Sequence, residues 1–548
     1  MLSGESHSSS RPVLALLCVL ALALLIVACS SATPPEQSTA GTEQPTGTDP
    51  ATLAENASFG EEPPILEMPE AEGVETLSFT YGPLDIRPGQ NSIVFSDVDV
   101  PKPDVDGFIV GIRPNLVYKD GSVPRVDVIH LHHGVWLNTS ADDVTRPRLP
   151  ERFMAAGEEK TAMYLPPGYG YPYKATDVWI INYMLHNLLA TPDEVSITYD
   201  IDFIPASSPA AASITPARPA WMDVQNGETY PVFDVIKGEG TDGLYTYPTD
   251  AIAPYPEEPK NTWTVDRDSV LLTTGGHLHP GGLQTDLYVT RPGAGAAATA
   301  EAAGEVEGDT ANLFTSKAYY YEPAGAVSWD VAMTVTPVDY RVALKAGDTL
   351  SMTTTYDSDR ASWYESMGIM VMWLADGTDG ADPFATKVNV DGPITHGHLP
   401  ENDNHGGEPT DDFVDMTGLP NGPVGDTVTI ADFTYAPGDM SGLYDDVPTV
   451  KQGQPLRFDN VDAPLENGIW HTITACKAPC NGATGIAYPL ADADISFDSG
   501  ELGDAGPPTA GRIDWSIPTD LPEGTYTYFC RVHPIMRGAF RVDNELTG

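Results

Sequence analysis

Residues 525–542 read TYTYFCRVHPIMRGAFRV, so that Cys530, His533 and Met536 recur at three-residue intervals between two strand-like runs. One loop thus offers a thiolate, an imidazole and a thioether, the donors with which copper cycles between its two oxidation states. A second imidazole must come from elsewhere in the chain. His471, within the run Trp470-His471-Thr472-Ile473-Thr474, supplies it. Pro534 stiffens the loop, so the site reorganises little when an electron arrives. Tyr526, Tyr528 and Phe529 read as core residues of the strand before Cys530.

The short Cys530-x-x-His533-Pro534-x-Met536-Arg-Gly loop resembles the plastocyanin and amicyanin family of cupredoxins, and looks most like amicyanin. The resemblance covers about the last 120 residues. It implies a Greek-key β-sandwich holding one blue (type 1) copper through His471, Cys530, His533 and Met536. In that family the histidine of the cysteine loop reaches the surface amid apolar side chains and is the electron port, which here implies His533 beside Pro534 and Ile535. A multicopper oxidase would carry histidines on both sides of the cysteine. Phe529 and Arg531 stand there instead, so this module transfers electrons and does not itself reduce oxygen.

Apart from His7 in the export segment, the remaining histidines are grouped at 130, 132 and 133, at 186, at 277 and 279, and at 396, 398 and 405. In an exported β protein, grouped imidazoles point to copper or zinc. Their order, with Ser366-Met367-Gly368 farther on, resembles the copper type II monooxygenases, the family of peptidylglycine alpha-hydroxylating monooxygenase and dopamine beta-hydroxylase. That resemblance spans about residues 75–380. It implies two all-β subdomains with a copper each: His132, His133 and His186 on an electron-supplying ion, and His277, His279 and Met367 on the ion that activates O2 toward a small organic substrate. The chain carries no cysteine in this region, unlike the disulfide-bonded animal enzymes, and so the substrate does not carry over.

Strand geometry suits the second set directly, because residues two apart share a face and His277 and His279 can grip one ion. Adjacent His132 and His133 point to opposite faces, so using both demands a β-bulge. On a regular strand His130 and His132 would be the pair, and His130 stands as a substitute or supporting residue. Met370 and Met372 rival Met367. His396, His398 and His405 lie in the acidic stretch THGHLPENDNHGG, either a solvated linker or a route for copper to the sites.

The elements that position these residues are β-strands. Runs such as VSITYDIDFI (195–204) and VAMTVTPV (331–338) alternate or are β-branched between Pro, Gly and Asp, and no helical period emerges. The fold class expected is all-β, with two monooxygenase-type sandwiches (75–210 and 211–380) before the cupredoxin sandwich (426–548). Residues 292–308 look like a flexible insertion and 381–425 like an acidic linker.

Residues 13–28 form one apolar run ending Ile26-Val27-Ala28-Cys29, which resembles a bacterial lipobox. Residues 1–29 are then a lipoprotein signal peptide, with Cys29 lipidated as the membrane's only attachment, and residues 30–74 are a disordered tether rich in Ser, Thr, Pro, Gly and Glu. The protein is placed outside the cytoplasm. Of five cysteines, Cys18 and Cys29 belong to the export segment, and Cys476 and Cys480 are near enough to pair. Cys530 remains as an odd thiol in an oxidising compartment, which calls for a function. Asp and Glu total 78 against 28 Lys and Arg, a net charge of −50 that repels nucleic acid. The expected partners are a redox protein or a small reductant such as ascorbate. The alternative is a copper-binding electron carrier or copper-storage lipoprotein without enzymatic activity.

Overall fold

The computed structural model describes residues 63–87, 93–96, 100–189, 191–225, 231–251, 261–302, 304–321, 325–400, 413–463, 469–481, 495–503 and 512–544. The export segment, most of the tether and His405 lie outside the described residues. The fold is all-β: among the described residues only short 3-10 turns interrupt the strands, and no helix is long and apolar enough to cross a membrane.

Alternation explains the strands. In Asp193–Pro205, Val195, Ile197, Tyr199, Ile201 and Phe203 are buried. The residues between them face outward, where Asp200 and Asp202 accept hydrogen bonds from Ser78 and Thr76 of the neighbouring strand Glu75–Ile86. A side-chain period of two makes one face of the sheet greasy and the other wet.

The strands Glu75–Ile86, Asp193–Pro205, Gly107–Val117 and Tyr169–Tyr173 lie side by side. They pack against a second sheet ordered Ile93–Phe95, Trp179–Asn187, Ile129–Asp142, Pro150–Ala156. Between the two sits a core that includes Ile112, Leu131, Trp136, Phe153, Trp179 and Leu185. The first sheet does not end at Tyr169–Tyr173. Through a short parallel pairing with Thr215–Asp223 it continues into Gly368–Asp376, Ser269–Leu278 and Val342–Leu344. Those strands form one wall of a second sandwich, whose other wall contains Leu244–Tyr247, Thr349–Asp357, Gly282–Thr290 and Thr310–Tyr320. The two central sandwiches therefore share a nine-stranded sheet.

The C-terminal sandwich pairs a five-stranded sheet (Asn421–Val424, Val447–Val450, Arg537–Val542, Gly524–Phe529, Thr474–Cys476) with a four-stranded one (Thr434–Ala436, Thr427–Ala431, Arg457–Asn460, Asp514–Ser516). Its fold starts earlier than position 426, because Met416 is buried against Met440, Val447 and Ala539. The stretch read as a linker is also anchored: Phe384 and Val388 enter the second sandwich's core, and Ile394 packs on Tyr321 and Ala332. Isolated apolar anchors in an Asp- and Pro-rich chain carry no period, so the sequence pattern passes over them. The 292–308 segment is likewise organised, with Asp309 accepting hydrogen bonds from the backbone of Gly293 and Gly295.

The C-terminal sandwich is docked on the second central one. Cys476, Cys480, Ile495 and Phe529 belong to the same apolar cluster as Trp363 and Ala361. Arg512 pairs with Asp234 at 3.1 Å, and Lys237 donates to the Ile495 carbonyl at 3.0 Å. The Arg531 guanidinium lies over the rings of Trp363 and Tyr364.

Candidate metal centres

The hairpin of Gly524–Phe529 and Arg537–Val542 closes with Phe529 opposite Arg537, which makes residues 530–536 its loop. Two backbone bonds tighten the loop, Cys530 N–H to the Met536 carbonyl at 3.1 Å and Met536 N–H to the His533 carbonyl at 2.8 Å. His471 is brought up by paired backbone bonds with Leu502. Among the described residues, one set of three His, Cys, Asp or Glu side chains has donor atoms all within 4.8 Å of each other: His471, Cys530 and His533, all buried. Sγ of Cys530 lies 3.8 Å from Nδ1 of His471 and 3.9 Å from Nδ1 of His533, and the two nitrogens are 3.2 Å apart. Two nitrogens on one tetrahedral ion at ~2.0 Å are about 3.3 Å apart, so the spacing suits a shared ion.

The surroundings favour a thiolate. Thr472 N–H and His533 N–H donate to Sγ at 3.3 and 3.4 Å. Burial by itself would raise the Cys530 pKa, but hydrogen bonds and charge from His471 and His533 hold it well below the ordinary thiol range. His471 Nε2 donates to Asp462 at 3.0 Å, which leaves its Nδ1 turned toward the sulfur. Met536 is buried in the same apolar cluster as Cys530. Cys476 and Cys480 are joined by a disulfide and Cys530 is free. Tyr528 and Phe529 are fully buried. One expectation is corrected: His533 is 0% exposed, enclosed by Phe433 and His471 of its own sandwich and by His186 of the central ones.

The central histidines occupy the seam between the two central sandwiches. Leu131 pairs with Leu185 and His133 with Met184, and the register slips between them. This is the bulge that the adjacent histidines demand. Ile129 and Leu131 face the core before it and Trp136 faces the core after it. The slip therefore turns His130, His132 and His133 all to the outer face, where His186 also points. Across the seam, His277 pairs with Ile369. Continued by two residues, that register sets His279 opposite Met367, so His277, His279 and Met367 share a face. Met370 and Met372 point the other way into the second core, whereas Met367 packs with Trp221, Val232 and Ile369. Tyr356 fastens this corner: its hydroxyl donates to the Met367 carbonyl at 2.6 Å and accepts from the His279 N–H at 3.1 Å.

The six imidazoles form one continuous cluster. His130, rather than His133, meets His186, with Nε2 and Nδ1 3.2 Å apart. The rings of His132 and His279 are 4.1 Å apart, centre to centre, so the closest approach joins the two expected ligand sets. His133 lies in the field of His277 and of Glu159. Among the described residues no three of these imidazoles bring donor nitrogens within 4.8 Å of one another, yet His132 Nδ1, His186 Nε2, His277 Nε2 and both ring nitrogens of His279 are buried without a hydrogen-bond partner, a lack that a bound cation would fill. Unpaired polar atoms in a core are costly unless something binds them. A cavity of ≈ 40 Å³ lies among His130, His132, His186, His279, Trp329 and Arg531.

Several residues here escape the sequence reading. Trp329 is within 4.6 Å of the rings of His130 and His132 and 4.9 Å of His279, forming the apolar wall of the cavity. Glu159 is buried and accepts from His277 Nδ1 at 3.0 Å, from Gly157 N–H at 2.9 Å and from the Thr161 hydroxyl at 2.9 Å. Burial pushes its carboxyl up, and His277 with those donors outweighs that and holds it below its ordinary pKa. The Glu-Glu-Lys run after an apolar strand was the signal available. Gly157 is required by close approach, since a Cβ there would lie 2.9 Å from Cε1 of His277. Replacing Glu159 with glutamine is expected to weaken metal binding at His277 roughly 10–100-fold, measured by competition with a chelator, because the carboxylate fixes which ring nitrogen is free.

His396 and His398 lie away from this cluster. His396 Nε2 is 3.1 Å from the Val331 carbonyl, and His398 Nδ1 is 3.3 Å from Asp330.

No family model matches the chain, and no curated protein does. Among solved structures, the STIV MCP, from Sulfolobus Turreted Icosahedral Virus, aligns with 8% identity over 55% of this chain and 96% of its own, at a TM-score of 0.24. The infectious bursal disease virus VP2 subviral particle aligns with 10% identity over 62% of this chain and 82% of its own, at 0.16. Likeness this slight carries no argument about fold or function.

Proposed function

We propose that this is an exported copper oxidoreductase, in which a C-terminal cupredoxin passes single electrons to copper held by the central histidines, where O2 is used on a small organic substrate. The observation that carries the reading is the buried Cys530 sulfur set between two imidazole Nδ1 atoms, with Met536 in the same apolar cluster. A thiolate, two imidazoles and a weak thioether select copper over zinc or iron, and copper there supplies one-electron transfer. His471, Cys530, His533 and Met536 would hold it. At the seam, the unpaired nitrogens of His132, His186, His277 and His279, with His130, His133 and Met367 beside them, would hold the copper that reacts with O2. The small reductant or redox protein, the lipid anchor at Cys29 and the location outside the cytoplasm complete the reading.

A second reading has its own support. The ≈ 40 Å³ cavity has room for a few waters or a diatomic molecule. A copper-storing electron carrier needs no more room than that. Copper content and O2 consumption separate the two. The oxidoreductase should hold central copper in addition to the blue one, three ions per chain on the two-site expectation, and consume O2 with ascorbate. One copper per chain and no uptake across a broad substrate panel would sink the first reading.

A further inference from the structure

We propose that His533 is an inward electron port: the ring of His533 passes electrons to the ring of His186 across a fixed contact inside the molecule, and not to a docking partner outside it. The proposal rests on the reading of both sites as copper centres and adds the route between them.

Five observations carry it. His533 is wholly buried, so no partner protein can touch it. Its ring is enclosed by Phe433 at 5.0 Å, His471 at 5.0 Å and His186 at 6.3 Å, and the last is the only one of the three from the central sandwiches. The His186 ring stands nearly perpendicular to His533, at 83°, so an edge of one meets the face of the other. His186 is tied in turn to His130 at 3.2 Å, which places it within the central cluster. The loop bearing His533 is pinned in this orientation by the fully buried Arg537, whose guanidinium donates to the Pro534 carbonyl at 3.2 Å and to the Cys480 carbonyl at 2.7 Å.

One electron crosses this contact. The Cys530 site loses one negative charge and the His186 site gains it, while no bond forms or breaks and no proton is required. A small soluble reductant restores the electron at the Cys530 site. Because both sites belong to one docked chain, the transfer is first-order, and its rate does not depend on protein concentration.

The test uses the full-length protein loaded with copper, compared with a K237E/R512E variant. Lys237 and Arg512 tether the C-terminal sandwich to the second central one and belong to neither donor set. After flash reduction by a one-electron reductant without O2, the visible band should relax in a first-order process independent of concentration. The variant should slow that process by roughly tenfold or more with the band and copper content unchanged, since the contact opens. If the sites' potentials leave no amplitude, electron-spin relaxation of the fully oxidised protein reads the same contact. The blue signal should relax faster in the wild type than in the variant. A rate proportional to concentration, or a variant indistinguishable by both measurements, overturns the inward port while leaving the copper reading intact. Absence of copper from the central cluster overturns both.

Discussion

Replacing Cys530 with serine is expected to abolish the intense visible absorption of the copper-loaded protein and to leave the central copper in place. The colour of such a site arises from charge transfer between a thiolate and copper, and a serine oxygen cannot supply it. Sγ also accepts the Thr472 and His533 amides, and its loss leaves both donors without a polarisable acceptor in a closed pocket. The blue-site ion should therefore be lost or become colourless, whereas the seam histidines are untouched by the change. A double Cys476→Ser, Cys480→Ser variant is the control. It removes the disulfide beside the site and should keep the colour. Colour surviving in the Cys530 variant would show that the sulfur is not a ligand.

The second large effect is acid lability of the metal-free protein. Burial holds His130 and His133 down to about 3, and it also holds His132, His186 and His279 well below the ordinary value of 6.5. Above pH 6.5 these rings are neutral whether the chain is folded or not, and their contribution to folding is complete. As the pH falls from 6.5 toward 3, the unfolded chain takes up protons that the folded one refuses, so stability is progressively lost. Each such ring costs about 1.4 kcal/mol per pH unit. For His130 and His133 together that is about 3 kcal/mol per unit, set against the 5–15 kcal/mol that typically holds a domain together. The thermal midpoint of the metal-free protein, followed by circular dichroism, should fall steeply below pH 6.5. Copper should move the onset lower, because metal and protons compete for the same nitrogens. A midpoint unchanged between pH 7 and 4 would mean that these rings are not buried together.

What the sequence made legible follows from how locally each feature is encoded. Three donors on one seven-residue loop announce themselves, and His471, in its own short strand-like run, supplies the imidazole that the loop lacks. The all-β class is written in the alternation of Asp193–Pro205 and its neighbours. The need for a bulge at His132 and His133 is local too, and the register slip lies there. The pairing of His130 with His186 is different, because it is set by the register of two strands far apart in the chain, and no local rule sets that. The burial of His533 depends on the docking of two domains, and the support from Glu159 and Trp329 depends on loops folding back across the seam. The contrast between Met367 and its neighbours Met370 and Met372 becomes visible only once the strand's two faces are assigned to different cores.

Electron paramagnetic resonance of the copper-reconstituted full-length protein, with the metal counted in the same sample, puts the whole reading at risk in one step. A narrow-hyperfine type 1 signal from one ion, accompanied by additional copper in a nitrogen-rich environment, is the result expected. Zinc or an empty pocket at Cys530 after complete reconstitution, or Cys530 recovered in a disulfide, would contradict it.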